Sequence, residues 1–231
     1  MPKVAIYTFT RDRLDYTKRT LDSMRDTRPG HAYDHWIFDQ GSEDGTQEYI
    51  KAKIAHGRLF DLTEFGHNLG LHVGKNTAHD QLLTAGYDFI MKVDNDIEFK
   101  TQHWLRKLLA AYRALGNDAV ISPRIKGLNN PPQSWADKRV GKFNFAFVSI
   151  LGGATRFTTR KTIESFRYNE RMPMAMGAAS TFANHCMAFN IPLAYCEDII
   201  VRHMDTTKGQ EEANPDYFDR SAMERIIPYG L

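Results

Sequence analysis

Phe89-Ile90-Met91-Lys92-Val93-Asp94-Asn95-Asp96 is the stretch on which the reading of this chain turns. Its first half is apolar enough to be a buried strand. Its second half places two carboxylates two positions apart at the end of that strand. In an extended chain, residues i and i+2 share a face, so Asp94 and Asp96 are expected to look into one pocket. Two such carboxylates repel each other unless a cation stands near. A hard divalent ion, held by one or two carboxylates and by diphosphate oxygens, is the usual solution. The plainer reading is a solvated Asp-Asn-Asp turn.

Working outward, strand and helix patterns alternate. Lys3 to Thr10 reads as a buried strand, and Asp15 to Arg25 as a helix with Leu14, Leu21 and Met24 at helical spacing. Asp34 to Asp39 is a second strand. Thr46 starts a helix through Ile50 and Ile54. Arg58 to Phe65 is a third strand, and a helix runs from Asn68-Leu69-Gly70 to Leu83. Tyr87 to Val93 is the fourth strand, Trp104 to Leu115 a helix, and Ala119 to Ser122 the fifth strand. This alternation predicts an α/β fold with a mostly parallel sheet covered on both faces. Ligands bind at the carboxyl ends of the strands in such sheets. After residue 123 the regularity drops. Lys142 to Leu151 alternates Phe143, Phe145 and Phe147 as a strand would, Met172 to Phe189 reads as a helix, and Leu193 to His203 as a strand.

The chain has 231 residues, 42% of them hydrophobic and 12% aromatic, which suits one α/β domain with a substantial core. Cys186 and Cys196 form no metal-type pair and are too few for a disulfide framework. With no leader pattern and no run of ~20 apolar residues, the expectation is a protein without a membrane span in a reducing cytoplasm (that of the host, for a viral protein). The net charge of +2 is unevenly spread: residues 1–123 carry 16 Lys and Arg against 17 Asp and Glu, residues 124–171 carry 10 against 3, and residues 172–231 carry 4 against 8. The basic middle suggests a surface that meets an anion, or a solvated region with spare lysines.

A second constellation precedes the first: Asp39-Gln40-Gly41-Ser42-Glu43-Asp44-Gly45-Thr46. An Asp at a strand end can accept from an N–H of a base, and the two glycines let the backbone turn sharply. Taken with Asp94-Asn95-Asp96, and in this order, the chain resembles the GT-A glycosyltransferases, in particular the family-two-like nucleotide-sugar transferases, over roughly residues 3–204. Val4 to Arg11 looks like that group's first strand and nucleotide loop. Asp39 to Thr46 is similar to its Asp-Asp-Gly-Ser-x-Asp-Gly-Thr signature, with Gln40 in place of the second Asp. Asn68-Leu69-Gly70 with Gly74-Lys75-Asn76 resembles its Asn-x-Gly…Ala-Arg-Asn segment. Asp94-Asn95-Asp96 matches its Asp-x-Asp motif, and His203 its late histidine.

The resemblance implies one GT-A domain over 1–231, with a nucleotide-sugar half (1–123), an acceptor-side half (124–204) and a tail (205–231). Thr8 and Arg11 would line the nucleotide pocket, Asp39 would read the base, most often uracil, and Lys75 would reach the diphosphate. Asp94 would contact ribose or metal, and Asp96 and His203 would hold Mn²⁺ or Mg²⁺. The donor would be a UDP-sugar. An imidazole beside carboxylates favours Mn²⁺ slightly.

One part of the family pattern is missing. The acceptor hydroxyl of an inverting transferase needs a general base. The matching stretch, Met176-Gly177-Ala178-Ala179-Ser180-Thr181-Phe182, has no carboxylate. Asp137, Glu164, Glu170, Glu197, Asp198 and His185 are substitutes that position alone does not select, so no base is assigned and the stereochemical course stays open. The basic stretch, interleaved with Trp135, Phe143, Phe145 and Phe157, has the chemistry of a nucleic-acid groove. It motivates a 5-hydroxymethylpyrimidine in DNA as acceptor, as in phage DNA modification, beside a saccharide or lipid-linked acceptor. Rival readings are a sugar nucleotidyltransferase, disfavoured because Thr8 to Arg13 lacks glycine, and a binding module that has lost its base. Thr207 and Lys208, in the tail, are placed near the phosphates by position only. No feature speaks to the oligomeric state.

Overall fold

The structure is a computed structural model that describes residues 1–57, 61–116, 118–128, 133–172 and 177–205. The chain runs β1 (Val4–Thr10), α1 (Leu14–Asp26), β2 (Asp34–Asp39), α2 (Thr46–Ala55), β3 (Asp61–Glu64), α3 (Gly70–Thr84), β4 (Phe89–Val93), β5 (Ile97–Phe99) and α4 (Trp104–Leu115). It continues through β6 (Val120–Lys126), β7 (Ser134–Val140), β8 (Phe143–Val148), β9 (Thr155–Thr159), α5 (Arg160–Glu164), α6 (Ala178–Ala188) and β10 (Leu193–His203). One sheet takes all these strands in the order β3-β2-β1-β4-β9-β6-β10-β8-β7, with β5 paired to β10.

All seven residues of β1 are buried, which its position inside the sheet requires. It lies parallel to β2 on one side and to β4 on the other, and β2 is parallel to β3. Beyond β4 the sheet departs from the expected parallel run. β9 is antiparallel to β4 and to β6, and β8 is antiparallel to both β10 and β7. Of these pairs only β7–β8 is joined by a tight turn, Gly141-Lys142, which forces it antiparallel; the others join distant segments, and β6 with β10 stays parallel.

The strand expected over 58–65 is seen at Asp61–Glu64, and Arg58 to Phe60 lie outside the described residues. The helix expected over 172–189 starts at Ala178, after the undescribed 173–176. Thr207 and Lys208 also fall outside. β5, β7, β9 and α5 were not anticipated. β5 has three residues and α5 five, too short to show a period.

The core is continuous across both halves of the chain and includes Phe38, Trp104, Phe145, Phe157 and Val201. Phe143, Phe145 and Phe157 are 5%, 1% and 0% exposed, so these three aromatics of the basic stretch are packing residues, while Trp135 is 67% exposed. No helix among the described residues is long and apolar enough to cross a membrane.

Candidate active site

The carboxyl ends of β1, β2 and β4 open onto a cleft of about 420 Å³, also bordered by α3 and by the start of α6. Phe9, Thr10, Arg11, Arg13 and Gln40 line one side, and Lys75, Lys92, Asp94, Asp96, Gly153 and Gly177 to Ser180 the other.

Two loops are laced together at the rim. The Asp12 amide donates to Ser42 Oγ (2.7 Å), the Glu43 amide to Asp12 Oδ1 (2.8 Å) and the Leu14 amide to Asp44 Oδ2 (2.7 Å), so Asp44 caps the first turn of α1 from another loop. Asp12 and Arg13 both take positive φ, 53° and 64°. The left-handed region is unfavourable for such residues and persists only where surroundings impose it. The result aims the Arg13 guanidinium into the cleft, where Nη1 lies 3.4 Å from Asp96 Oδ2 and Nη2 2.5 Å from Asp205 Oδ2.

Asp39 is placed differently from the expectation. Its side chain is wholly buried and accepts from Thr10 Oγ1 (2.7 Å), the amides of Gly41 (3.1 Å) and Ser42 (2.8 Å), Ser42 Oγ (2.5 Å) and Gln47 Nε2 (2.7 Å). A carboxylate at the head of a turn captures the N–H groups of that turn, and here it is saturated by them. The residue of this segment that faces the cleft is Gln40, whose Oε1 accepts from the Leu69 amide at 2.8 Å. Thr8 is corrected as well. It lies two residues below the strand end, 0% exposed, with Oγ1 3.0 Å from His35 Nε2, and it is Thr10 that reaches the cleft. Arg11 lines the cleft as expected from the sequence.

Asp94 and Asp96 do border the same cleft, in different states. Asp94 is one-third exposed and paired with the Lys92 ammonium, which also donates to the Gly153 carbonyl. Asp96 is sunk to 4% side-chain exposure. Burial and the Asp94 charge push its carboxyl up from the ordinary range, while His203, Arg13 and Lys92 pull it back. His203 reaches it through β5, which was invisible in the sequence. β5 pairs antiparallel with β10, so that His203 lies opposite Ile97 and next to Asp96. Its Nε2 is 3.6 Å from Asp96 Oδ2, and its Nδ1 is 2.5 Å from the Asp205 carbonyl. A carbonyl only accepts, so Nδ1 carries a proton, and in the neutral ring the Nε2 lone pair faces Asp96.

This pair fits a divalent cation. Donor atoms 3.6 Å apart can both reach one ion at bond lengths of roughly 2.0–2.2 Å, and an imidazole fixed in this tautomer by a carbonyl is how ligating histidines are held. Asp94 does not join them: among the described residues no three His, Cys, Asp or Glu side chains gather as a metal cage. Of the expected set Asp94, Asp96 and His203, the structure brings Asp96 and His203 together, while Asp94 is paired with Lys92.

Lys75 projects from α3 beneath the cleft at 2% exposure, its ammonium 5.1 Å from the centre of the Tyr168 ring. Burial, and then the charges of Lys92 and Arg156, lower its pKa well below that of a free lysine.

Among the described residues lining the cleft, Asp94 and Asp96 are the only carboxylates. The substitute bases lie elsewhere. Asp137 and Glu197 border a separate hollow beside β7, Glu164 pairs with Arg160, and Glu170 pairs with Arg167. Asp198 accepts from Asn144, and His185 contacts Ser165.

Solved structures share this architecture. The chain matches a mannosyltransferase, PcManGT from Pyrobaculum calidifontis in complex with GDP-Man and Mn²⁺, with a TM-score of 0.66 and 15% identity over 92% of this chain and 60% of that one. It matches GalNAc-T7 with UDP, GalNAc and Mn²⁺ with a TM-score of 0.72 and 14% identity over 100% of this chain and 52% of that one. It matches S. aureus TarS 1–349 in complex with UDP-GlcNAc with a TM-score of 0.64 and 16% identity over 89% of this chain and 58% of that one. The chain thus spans between 52% and 60% of the length of these three proteins, and at such identities the likeness is one of fold, the GT-A fold. Among curated proteins, none matches by sequence. The pattern of Glycosyl transferase family 2 covers residues 4–190, and the chain belongs to that family.

Proposed function

We propose that the chain transfers a sugar from a nucleotide-diphosphate donor, a UDP-sugar in the first instance, to an acceptor hydroxyl, with Mn²⁺ or Mg²⁺ as cofactor. The observation that carries this reading is the Asp96–His203 pair, in which His203 stands behind Asp96 and Asp96 lines a cleft that also bears Arg11, Arg13 and Lys75. The nucleoside lies at the Phe9–Thr10–Gln40 end, over the loop that Asp39 organises. Asp96 and His203 hold the ion, and Asp94 contacts ribose or sugar. Arg11 and Arg13 face the diphosphate, with Lys75 adding positive potential from below. When bound, the ion supplies Lewis-acid neutralisation of the charge that grows on the departing nucleotide diphosphate. Titration of UDP into the protein with Mn²⁺ and with chelator tests the reading. Tight binding that chelator abolishes is expected, and equal affinity in both would refute it.

Residues 1–123 form the donor half in this scheme and residues 124–204 the acceptor half. A hydroxymethylated base in DNA keeps one support as acceptor: Lys126, Lys138, Arg139, Lys142 and Trp135 are all exposed at or near the β7–β8 hairpin. Its stacking support is reduced by the burial of Phe143, Phe145 and Phe157. Absence of DNA binding at low salt removes this reading and leaves a saccharide or lipid-linked acceptor.

A further inference from the structure

The floor of the cleft holds more positive charge than a metal-bound diphosphate can answer. Lys75 on α3, Lys92 on β4 and Arg156 on β9 are 2%, 5% and 5% exposed. Lys92 donates to Asp94 and to the Gly153 carbonyl, which leaves one of its three donors without a partner among the described residues. Arg156 donates to the Tyr168 hydroxyl (3.3 Å) and the Leu151 carbonyl (3.1 Å), and its buried Nε has no partner among the described residues. The Lys75 ammonium has the Tyr168 ring and, among the described residues, no hydrogen-bond acceptor. Of these three, Lys75 and Lys92 line the cleft and Arg156 lies behind it beside Tyr168; with Arg11 and Arg13, four basic side chains among the described residues border the cleft against two carboxylates, Asp94 and Asp96. Buried charges are costly to hold out of water without an anion.

The proposed donor does not remove this surplus. A divalent ion and the diphosphate it binds largely cancel each other's charge, and they sit at Asp96 and His203. The two buried lysines are held by other partners: Lys92 by Asp94 and the Gly153 carbonyl, and Lys75 against the Tyr168 ring. In the sheet order β2-β1-β4-β9, the nucleoside end belongs to β2 and β1, and the Lys92–Gly153 end to β4 and the turn before β9. A donor laid from Gln40 towards Asp94 brings its sugar over Lys75 and Lys92. The first turn of α6, Ala178 to Ser180, borders the same end and adds the positive pole of an 11-residue helix. Lys75 and Lys92 are too deeply set for a polymeric acceptor, and within reach of one substituent on a hexose.

We propose that the transferred sugar is acidic, a uronosyl group whose carboxylate is received by Lys75 and the third donor of Lys92. This rests on the nucleotide-sugar reading above and narrows its substrate class.

The test is calorimetric titration of the full chain in Mn²⁺ with UDP, UDP-glucose and UDP-glucuronate, and with GDP, GDP-mannose and GDP-mannuronate. In one base series, the uronate should bind roughly tenfold or more tightly than its neutral counterpart. In Lys75→Met that preference should fall to within about twofold, each sugar nucleotide being referred to the variant's own affinity for the nucleoside diphosphate alone. The wild-type comparison decides the matter even if the variant does not fold. Equal or weaker binding of the uronate, with the nucleoside diphosphate still binding, overturns the acidic donor and leaves the transferase reading intact. Transfer from a neutral donor that requires a phosphorylated acceptor overturns it too, in favour of an anionic acceptor. Binding of neither UDP nor GDP removes the nucleotide-sugar reading itself.

Discussion

His203 Nε2 stands 3.6 Å from Asp96 Oδ2, although 107 positions separate the two residues in the chain. The Asp205 carbonyl at Nδ1 holds the ring in the tautomer that leaves Nε2 free to ligate. Replacing either partner, as His203→Ala or Asp96→Ala, should weaken Mn²⁺-dependent UDP binding by at least about tenfold. Metal-free UDP binding should change little. Calorimetry with and without Mn²⁺ separates the two effects, and a His203→Ala protein with unaltered Mn²⁺ dependence would remove the imidazole from the site.

Asp39 is a structural node, accepting five hydrogen bonds from its own turn and its neighbours. Asp39→Asn replaces one accepting oxygen by an N–H₂, which then faces either the two hydroxyls at Oδ2 or the three N–H donors at Oδ1, and it removes the charge that strengthens all five bonds. The expected cost is about 2–4 kcal/mol of stability, read by urea denaturation. A base-reading Asp39 would behave in the opposite way: stability would hold and the preference between UDP and GDP would shift.

Two buried histidines predict an acid limit to stability. His35 and His79 are both lowered to about 3, His35 by burial and His79 by burial first and then by Lys75, Arg156 and Arg167. A depressed histidine stays neutral in the fold while the unfolded chain takes up a proton below its ordinary value of 6.5. Stability is therefore complete above pH 6.5 and falls as the pH drops from 6.5 towards 3, by roughly 3–5 kcal/mol per histidine over the whole window. His79→Gln keeps a partner for the Tyr7 hydroxyl, which lies 3.1 Å from His79 Nε2, and should flatten this slope. Denaturation curves between pH 7 and 4 measure it. An unchanged slope in the variant would show that other groups set the limit.

Gly127 touches the site through the backbone alone. It has a φ of 91°, and a Cβ there would come within 2.8 Å of the His203 carbonyl oxygen. Backbone on both sides cannot give way as a flexible side chain would. Gly127→Ala should cost about 1–3 kcal/mol and weaken Mn²⁺-dependent UDP binding without removing any ligand. Thermal melting and the same calorimetry check both parts. A variant with wild-type stability and binding would mean that β6 and β10 can separate at this point.

Much of the donor half was legible because each element carries its own signal. The apolar run of β1, the Gly-Asp turn after β2 and the carboxylates after β4 are local patterns, and Arg11, Lys75, Asp94 and Asp96 do border one cleft. Thr8 and Asp39 are both buried and hydrogen-bonded within the fold, which the motif did not reveal, for one reason. Position in a motif says which strand end a residue occupies, but not whether its own turn or a neighbouring strand has already satisfied its polar atoms. The buried cation Arg156 was counted with the surface charge of residues 124–171, because composition does not distinguish a side chain under the sheet from one in water.

The order of apolar and turn residues by itself determined the alternating elements, the α/β class and the two carboxylates at one strand end, since those depend on contacts between near neighbours. Which histidine meets Asp96, which carboxylate pairs with Lys92 and which lysines share the cleft floor were decided only by tertiary structure. These depend on the pairing of β5 with β10 and of β4 with β9, contacts between distant segments that no local period encodes.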